Sequence, residues 1–256
     1  MLFWLNTSYA LIQRLFLTWV KNWKNFIMLR IAEPTITLYG MGFGLSLAFN
    51  QVNGVPYLNY VVPGIMCSGL MFGCILDGIY GSLTRELYQG TWKSQLTANI
   101  NLRQILLVEA FWVGFKGACA AIIVMWVGFF FGGVQSPFVA LLTFPFLLLG
   151  GIALTSFGQI FAATAYSYTD VEYLWPLIIT PMFLFSGTFI PLESFPQWLQ
   201  FISTFLPLTY IIELVRGTLL TTLTIEITVL NSLLLVALTV VSQTISHHLY
   251  HKRLFT

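Results

Sequence analysis

Charge is what this chain has least of. Asp, Glu, Lys and Arg make up 8% of its 256 residues while 57% are hydrophobic, and an average soluble domain carries roughly 25% charged residues. Too few polar side chains exist to cover a water-exposed surface, so a soluble enzyme or a nucleic-acid binder is excluded. Also missing is any Gly-Lys-Ser or Gly-Lys-Thr, the end of the loop whose backbone cradles phosphates and whose lysine reaches them. ATP hydrolysis by that route is therefore excluded. The three histidines, His247, His248 and His251, all fall at the C-terminus, which leaves Ser186 in "FSGTF" without an imidazole to activate it. His247 and His251 stand four apart, yet no carboxylate or cysteine lies near them in sequence to complete a metal site. They read better as polar residues marking the end of a helix. Cysteine is scarce too: Cys67, Cys74 and Cys119 lie inside apolar runs with no CxxC pair, which predicts inert packing roles. No catalytic set, no metal site and no cofactor of its own is predicted for this chain.

What is present in quantity is long apolar sequence. The runs are unbroken by alternation. Helical spans need roughly 20 mostly apolar residues, whereas barrel strands show alternating segments of about 10. The prediction is an all-α integral membrane protein of six transmembrane helices, near residues 34 to 50, 60 to 83, 104 to 131, 138 to 165, 172 to 190 and 226 to 247. No basic segment opens the chain and no small-residue cleavage site follows, so a signal peptide is not expected. Instead residues 1–32 read as an amphipathic interfacial helix. Leu11, Ile12, Leu15, Phe16, Trp19, Val20 and Trp23 recur at helical spacing, with Arg14, Thr18, Lys21 and Asn25 opposite; such a helix lies in the headgroup region with its cations towards anionic lipid.

Position of charge sets the orientation. Arg14, Lys21, Lys24 and Arg30 precede the first span, Arg85, Lys93 and Arg103 follow the second, and Lys252 and Arg253 close the chain, whereas 51 to 59 and 132 to 137 carry no Lys or Arg. By the positive-inside rule both termini are cytoplasmic. An even span count then requires that "FSGTFIPLESFPQWLQFISTFLPLTYIIELVRG" not cross. Pro191, Pro196 and Pro207 cut it into pieces of about 10 to 13 residues, the length of re-entrant segments. Residues 191–222 are thus predicted to dip into the outer leaflet and return, lining a protected space.

Three charges fall inside expected spans, Asp77, Glu109 and Lys116, where an ionisable group usually meets a partner or a cavity. Glu109 and Lys116 are two turns apart, about 10 Å by helical rise, too far for a direct pair. Two readings stay open: satisfaction by other spans, or a relay for protons or ions. Gly40 and Gly44 in "YGMGFGLS" give the spacing that lets helices approach closely, across subunits or within one. The cytoplasmic loop 84–103 interleaves Leu87, Trp92 and Leu96 with Arg85, Glu86, Lys93 and Gln95. That pattern predicts a short surface helix with an exposed aromatic, suited to docking.

The stretches "EPTITLYGMGFG", "QGTWKSQL", "IITPMFLFSGTFIPLESFP" and "LPLTYIIELVRG", in this order and spacing, resemble the type-2 ABC exporter permeases, closest to the branch of nodulation lipo-chitooligosaccharide exporters. The resemblance covers nearly the whole chain. It implies a single transmembrane domain over 1–256, a permease homodimer, and two copies of a separate ABC ATPase that bind ATP and magnesium. It places the coupling helix on residues 85 to 96, with Arg85, Glu86, Gly90, Thr91, Trp92 and Lys93 at the ATPase; Lys93 departs from the family's usual acidic residue, and a proline common a few residues later is absent from "TANINLRQ". It makes 191–222 an extracellular gate containing Glu193, Trp198, Pro207, Tyr210, Glu213 and Arg216, of which Glu213 and Arg216 at i, i+3 could pair. The implied function is export of an amphiphile (lipo-oligosaccharide, glycolipid or drug-like) across a bacterial inner membrane, with lipid the only other contact and no nucleic acid. The alternative from the residues alone is an ion-coupled secondary transporter using Asp77, Glu109 and Lys116.

Overall fold

The computed structural model describes residues 2–47, 50–52, 54–134 and 136–255, with the side chains of 2, 3, 25, 29 and 137 set aside. The expected polar position Asn25 and the last residues of the first expected span thus lie outside the described side chains and residues. Almost everything described is helix. Helix α1 is Leu2–Lys21. A second continuous run, α2, covers 23–46 and alternates α-helical and wider π-helical turns. A two-residue antiparallel hairpin, Gln51–Val52 with Val55–Pro56, turns the chain into α3, Tyr57–Tyr88. After the short α4, Thr91–Thr97, come α5, Leu102–Phe130, α6, Pro137–Leu142, and α7, Phe144–Thr164. A broken run α8 over 175–185 precedes α9, Gln197–Ser203, α10, Pro207–Leu219, and α11, Ile225–Phe255.

Four of these, α3, α5, α7 and α11, are long and apolar enough to cross a membrane singly, and α9 with α10 qualifies only as a pair bent by 87°. The expected first span begins earlier than its sequence pattern: α2 takes in residues 23 to 33, which had been assigned to the interfacial helix, so Arg30 sits within it. The expected fifth span is shorter than predicted. Its helical part is 175–185, about 16 Å of rise, because residues 172 and 173 form a turn and Ser186 to Ile190 is not helical. The chain nevertheless travels from end to end here: the Tyr168 hydroxyl meets Thr84 and the Tyr57 hydroxyl meets the Phe189 carbonyl, positions about 40 Å apart along α3.

α7 is central, touching α3, α5, α10 and α11. Its glycines permit this: a Cβ on Gly151 would lie 2.8 Å from Gly114 Cα of α5, and one on Gly158 2.7 Å from the Ile75 carbonyl of α3. Without a hydrophobic drive between helices in lipid, such close backbone contact is what holds a bundle. α11 buries only the stripe Asn231, Leu235, Ser242, Ser246 and Tyr250 and leaves its other faces outward. α1 lies across the start of α5, with Leu11 and Leu15 against Val108 and Trp112; Phe16, Val20 and Trp23, expected on the same apolar face, are exposed. Gln104 fixes it by donating to the Trp4 carbonyl and the Ser8 hydroxyl, both at 2.8 Å. Since Arg253 of α11 meets Glu86, the first and last helices end at the same side of the bundle, hereafter the basic end.

Candidate functional site

The site at the basic end begins with how α3 stops. Its last turns, Asp77–Gly81 and Thr84–Tyr88, are π-helical, and such wider turns recur at functional positions because they re-aim side chains. Gly90 then adopts φ +62°, a left-handed conformation that costs glycine little, and the chain reverses into α4. Thr91 Oγ1 donates to the Arg85 carbonyl at 3.0 Å, pinning the reversal. Asn101 caps α5 by accepting from Arg103 N at 3.0 Å. The expected single helix over 85–96 is therefore two elements: residues 85 to 88 finish α3, and only Thr91–Thr97 is separate.

Trp92 is not the exposed docking aromatic that the sequence pattern predicts. It is fully buried, packed edge-on against Tyr250 at 4.8 Å, and its indole N–H donates to Glu109 Oε1 at 2.8 Å. The reversal at Gly90 turns it inward, where a large ring with one donor finds a buried acceptor. Around the reversal the exposed residues are Leu87, Tyr88, Gln89, Lys93 and Ser94, and further along Thr97 to Asn99, Asn101 and Arg103.

From Trp92 a chain of charge runs through the bundle. Arg85 Nε lies 2.8 Å from the same Glu109 oxygen, and Arg85 Nη1 is 3.9 Å from Asp77 Oδ1. Asp77 Oδ2 takes both Arg30 of α2 and Lys116 of α5, each at 3.0 Å. Glu109 and Lys116 do not pair with each other; Lys116 meets Asp77 of α3 and Glu109 meets Arg85 of α3 and Trp92 of α4, so that with Arg30 the elements α2, α3, α4 and α5 are joined in one cluster. Beside it Glu86 Oε1 is 3.1 Å from Arg253 Nε, while Arg253 Nη1 caps the end of α7 through the Ala165 carbonyl at 2.6 Å. Glu109 Oε2, Glu86 Oε2 and the Tyr250 hydroxyl are buried with no hydrogen-bond partner among the described residues. Depth follows from rise: Asp77 is about 30 Å from Tyr57 along α3, a full hydrocarbon thickness, so the cluster sits near the basic boundary.

Sequence reasoning missed Arg30, Tyr250 and Arg253 as members. The arginines had been read only as orienting charges, and nothing in one-dimensional spacing shows that residues 30, 77, 85 and 116 converge. In the adjacent loop Asp170 accepts from the backbone N–H groups of Tyr166 and Ser167 at 2.8 and 2.9 Å. The Tyr166 N–H, first among the causes, holds its carboxyl below the usual carboxylate range.

At the opposite end α9 and α10 meet at their sharp bend. Pro207 opens α10, where a missing N–H costs nothing. Tyr210 donates to the Thr204 carbonyl, and Ser203 Oγ bonds the Phe185 carbonyl at 2.7 Å. Arg216 does not pair with Glu213. It donates to the Tyr60 carbonyl at 3.1 Å and the Gly187 carbonyl at 2.9 Å, with its guanidinium 3.7 Å from the Tyr60 ring centre, while Glu213 accepts from Asn231 at 2.8 Å. Burial of the inner face of α10 aims the two side chains at different neighbours. Glu193 and Trp198 are exposed. So are Gly40 and Gly44, with nothing of this chain within 4 Å of a Cβ at either, whereas Gly42 packs on Leu38 and Ile65. Among the described residues of this chain nothing packs closely on Gly40 or Gly44. Among the described residues no three His, Cys, Asp or Glu side chains converge as metal ligands.

Fold and site together define a multi-pass helical membrane protein whose short basic-end helix is wired into its spans. A family profile described as ABC-2 type transporter matches residues 7–220. Nodulation protein J of Sinorhizobium fredii is 31% identical over 211 residues, covering 82% of this chain and 80% of that protein. Nodulation protein J of Rhizobium leguminosarum bv. viciae is 31% identical over 212 residues, 82% and 81% of the two chains. The transport permease ycf38 of Cyanophora paradoxa is 28% identical over 218 residues, 84% and 74%. The chain belongs to the ABC-2 type transporter family, as a transport permease.

Proposed function

We propose that this chain is the permease subunit of an exporter, a homodimer driven by two separate ATPase subunits that supply ATP and magnesium binding. The observation that carries the proposal is the ion-paired cluster joining α4 to three other elements. A push on α4 reaches Glu109 through Trp92, then Arg85, Asp77, Arg30 and Lys116, on side chains already in contact. Buried oxygens left without partners mark the cluster as one that can re-pair, as a two-state element must. The exposed coupling surface is Leu87, Tyr88 and Lys93, with Glu86, Gly90 and Thr91 shaping it. Residues 191–222 act as the gate at the opposite end, re-entrant rather than crossing.

Six crossings, counting the broken runs α2 and α8, agree with both termini at one side. Of the eleven Lys and Arg residues only Arg216 lies at the opposite end, so the basic end is cytoplasmic by the positive-inside rule, in a bacterial inner membrane as the rhizobial relatives favour. Gly40 and Gly44, open on the outside of α2, supply the thin face for a second copy. The transported molecule is an amphiphile, lipo-oligosaccharide, glycolipid or drug-like. Ion-coupled transport is the weaker reading, because Asp77, Glu109 and Lys116 are each already engaged in an ion pair with another side chain.

Co-expression with an ABC ATPase tests this. Tyr88→Ala with Leu87→Ala should reduce the recovered complex at least about fivefold, about 1 kcal/mol of binding, at unchanged permease Tm. Equal recovery and equal ATP turnover would remove the coupling assignment.

A further inference from the structure

One carboxylate in the spans stands apart from all those described above. Glu33, three residues beyond Arg30 on α2, makes no hydrogen bond or ion pair with any described residue, whereas Asp77, Glu109, Lys116, Arg30, Arg85 and Arg216 are all engaged. It is exposed, lies about 5 Å of helical rise further into the membrane than the Arg30 level, and borders a cleft between α2, α3 and α8. An ionisable group within a span with no partner among the described residues marks a functional position by default.

The cleft defines what that ligand presents. Glu33, Thr37 and Ser68 supply its polar rim and Phe72 and Phe183 its wall, and it encloses about 30 Å³, room for one or two water-sized groups, so that a single hydroxyl or ammonium enters while the rest of a sugar ring stays outside. Phe72 stacks on Trp175 at 5.5 Å and meets Phe183 at 5.2 Å, so an apolar aromatic surface continues out of the cleft towards Trp175, itself exposed. An ionised carboxylate only accepts hydrogen bonds. A head of phosphate, sulfate or carboxylate would meet it without a donor and with like charge; a hydroxyl or protonated amine would donate to it.

We propose that Glu33 and this cleft form a head-group subsite that takes a hydrogen-bond-donating group, hydroxyl or ammonium, of an amphiphile whose apolar part lies along Phe72, Trp175 and Phe183. The assignment rests on the permease reading above. It adds a selection rule to it: donor-bearing heads are admitted, anionic heads refused.

The test uses the full permease in nanodiscs of zwitterionic lipid, without any ATPase, titrated calorimetrically with dodecylamine, dodecyl glucoside and dodecyl phosphate below their micelle-forming concentrations and corrected against empty nanodiscs. The amine and the glucoside should bind the wild type and the phosphate should not. Glu33→Ala should weaken the amine about tenfold or more, the loss of a charge-assisted hydrogen bond. Glu33→Gln should restore the glucoside and not the amine. Phe72→Ala should weaken amine and glucoside alike, which separates the wall from the carboxylate. Unchanged amine affinity in Glu33→Ala, or tight phosphate binding, overturns the assignment. So does loss of the dimer mass in Glu33→Ala, since Glu33 would then pair with the second copy. Because no ATPase is present, failure of the permease to join one would remove the exporter reading and leave these binding results standing.

Discussion

The two ends of this bundle hold together by different means. At the basic end cations meet carboxylates: Arg30, Lys116 and Arg85 converge on Asp77, and Arg85 shares Glu109 with Trp92. At the opposite end one cation, Arg216, meets no carboxylate within ion-pair distance among the described residues and is held by the carbonyls of Tyr60 and Gly187 and by the Tyr60 ring. The contrast is between a cluster that can exchange partners and a latch that can only open. Its partners are backbone carbonyls, one on α3 and one in the non-helical stretch after α8, so Arg216 ties α10 to both. A carboxylate with three cations around it can trade one for another while staying paired, which transmits a displacement without exposing charge to lipid.

Breaking the basic end through Trp92 should produce the largest effect. Trp92→Ala removes a fully buried ring and should cost about 3–5 kcal/mol of unfolding free energy, read by denaturant titration in detergent micelles. Trp92→Phe keeps most of the packing but strips Glu109 of a donor, and should cost about 1.5–3 kcal/mol; equal losses in the two variants would show that the hydrogen bond and not the ring matters. At the latch, Arg216→Lys retains the charge but not the planar fork that reaches both carbonyls, and a loss of about 1–2 kcal/mol is expected. Hydrogen exchange should quicken at residues of α9 and α10 and not of α4; a uniform increase would mean that the ends are not separable.

The smallest effect belongs to the loop beside α4. With its carboxyl held low by the Tyr166 N–H, Asp170 favours the folded loop above the ordinary carboxylate range, near pH 4, and loses that contribution as pH falls through its depressed value. Asp170→Ala should lower amide protection at Tyr166 and Ser167 at neutral pH with little change in Tm. Protection that survives the substitution would assign the turn to backbone contacts alone.

Much of this was legible in advance where the signal is local. Apolar length gave α3, α5, α7 and α11, and prolines gave the breaks at 191, 196 and 207, because a span must satisfy its backbone within one continuous helix and proline removes a donor wherever it stands. The family resemblance pointed to the loop around Gly90. What failed was side-chain direction. Trp92 looked exposed because it sits among Arg85, Lys93 and Gln95, but a single left-handed residue at Gly90 reverses the chain and points the ring inward. Glu213 and Arg216 looked paired because they share a helix face, yet nearer partners on α11 and α3 took each one.

The sequence by itself determined that this chain is a helical membrane protein, where most of its helices run, and which end collects its positive charge, since each depends on composition within a few turns. Only the tertiary structure decided which charges meet. Arg30, Asp77, Arg85 and Lys116 come together, and Glu33 is left without a partner among the described residues, through the packing of separate helices against one another, and no spacing along the chain encodes that.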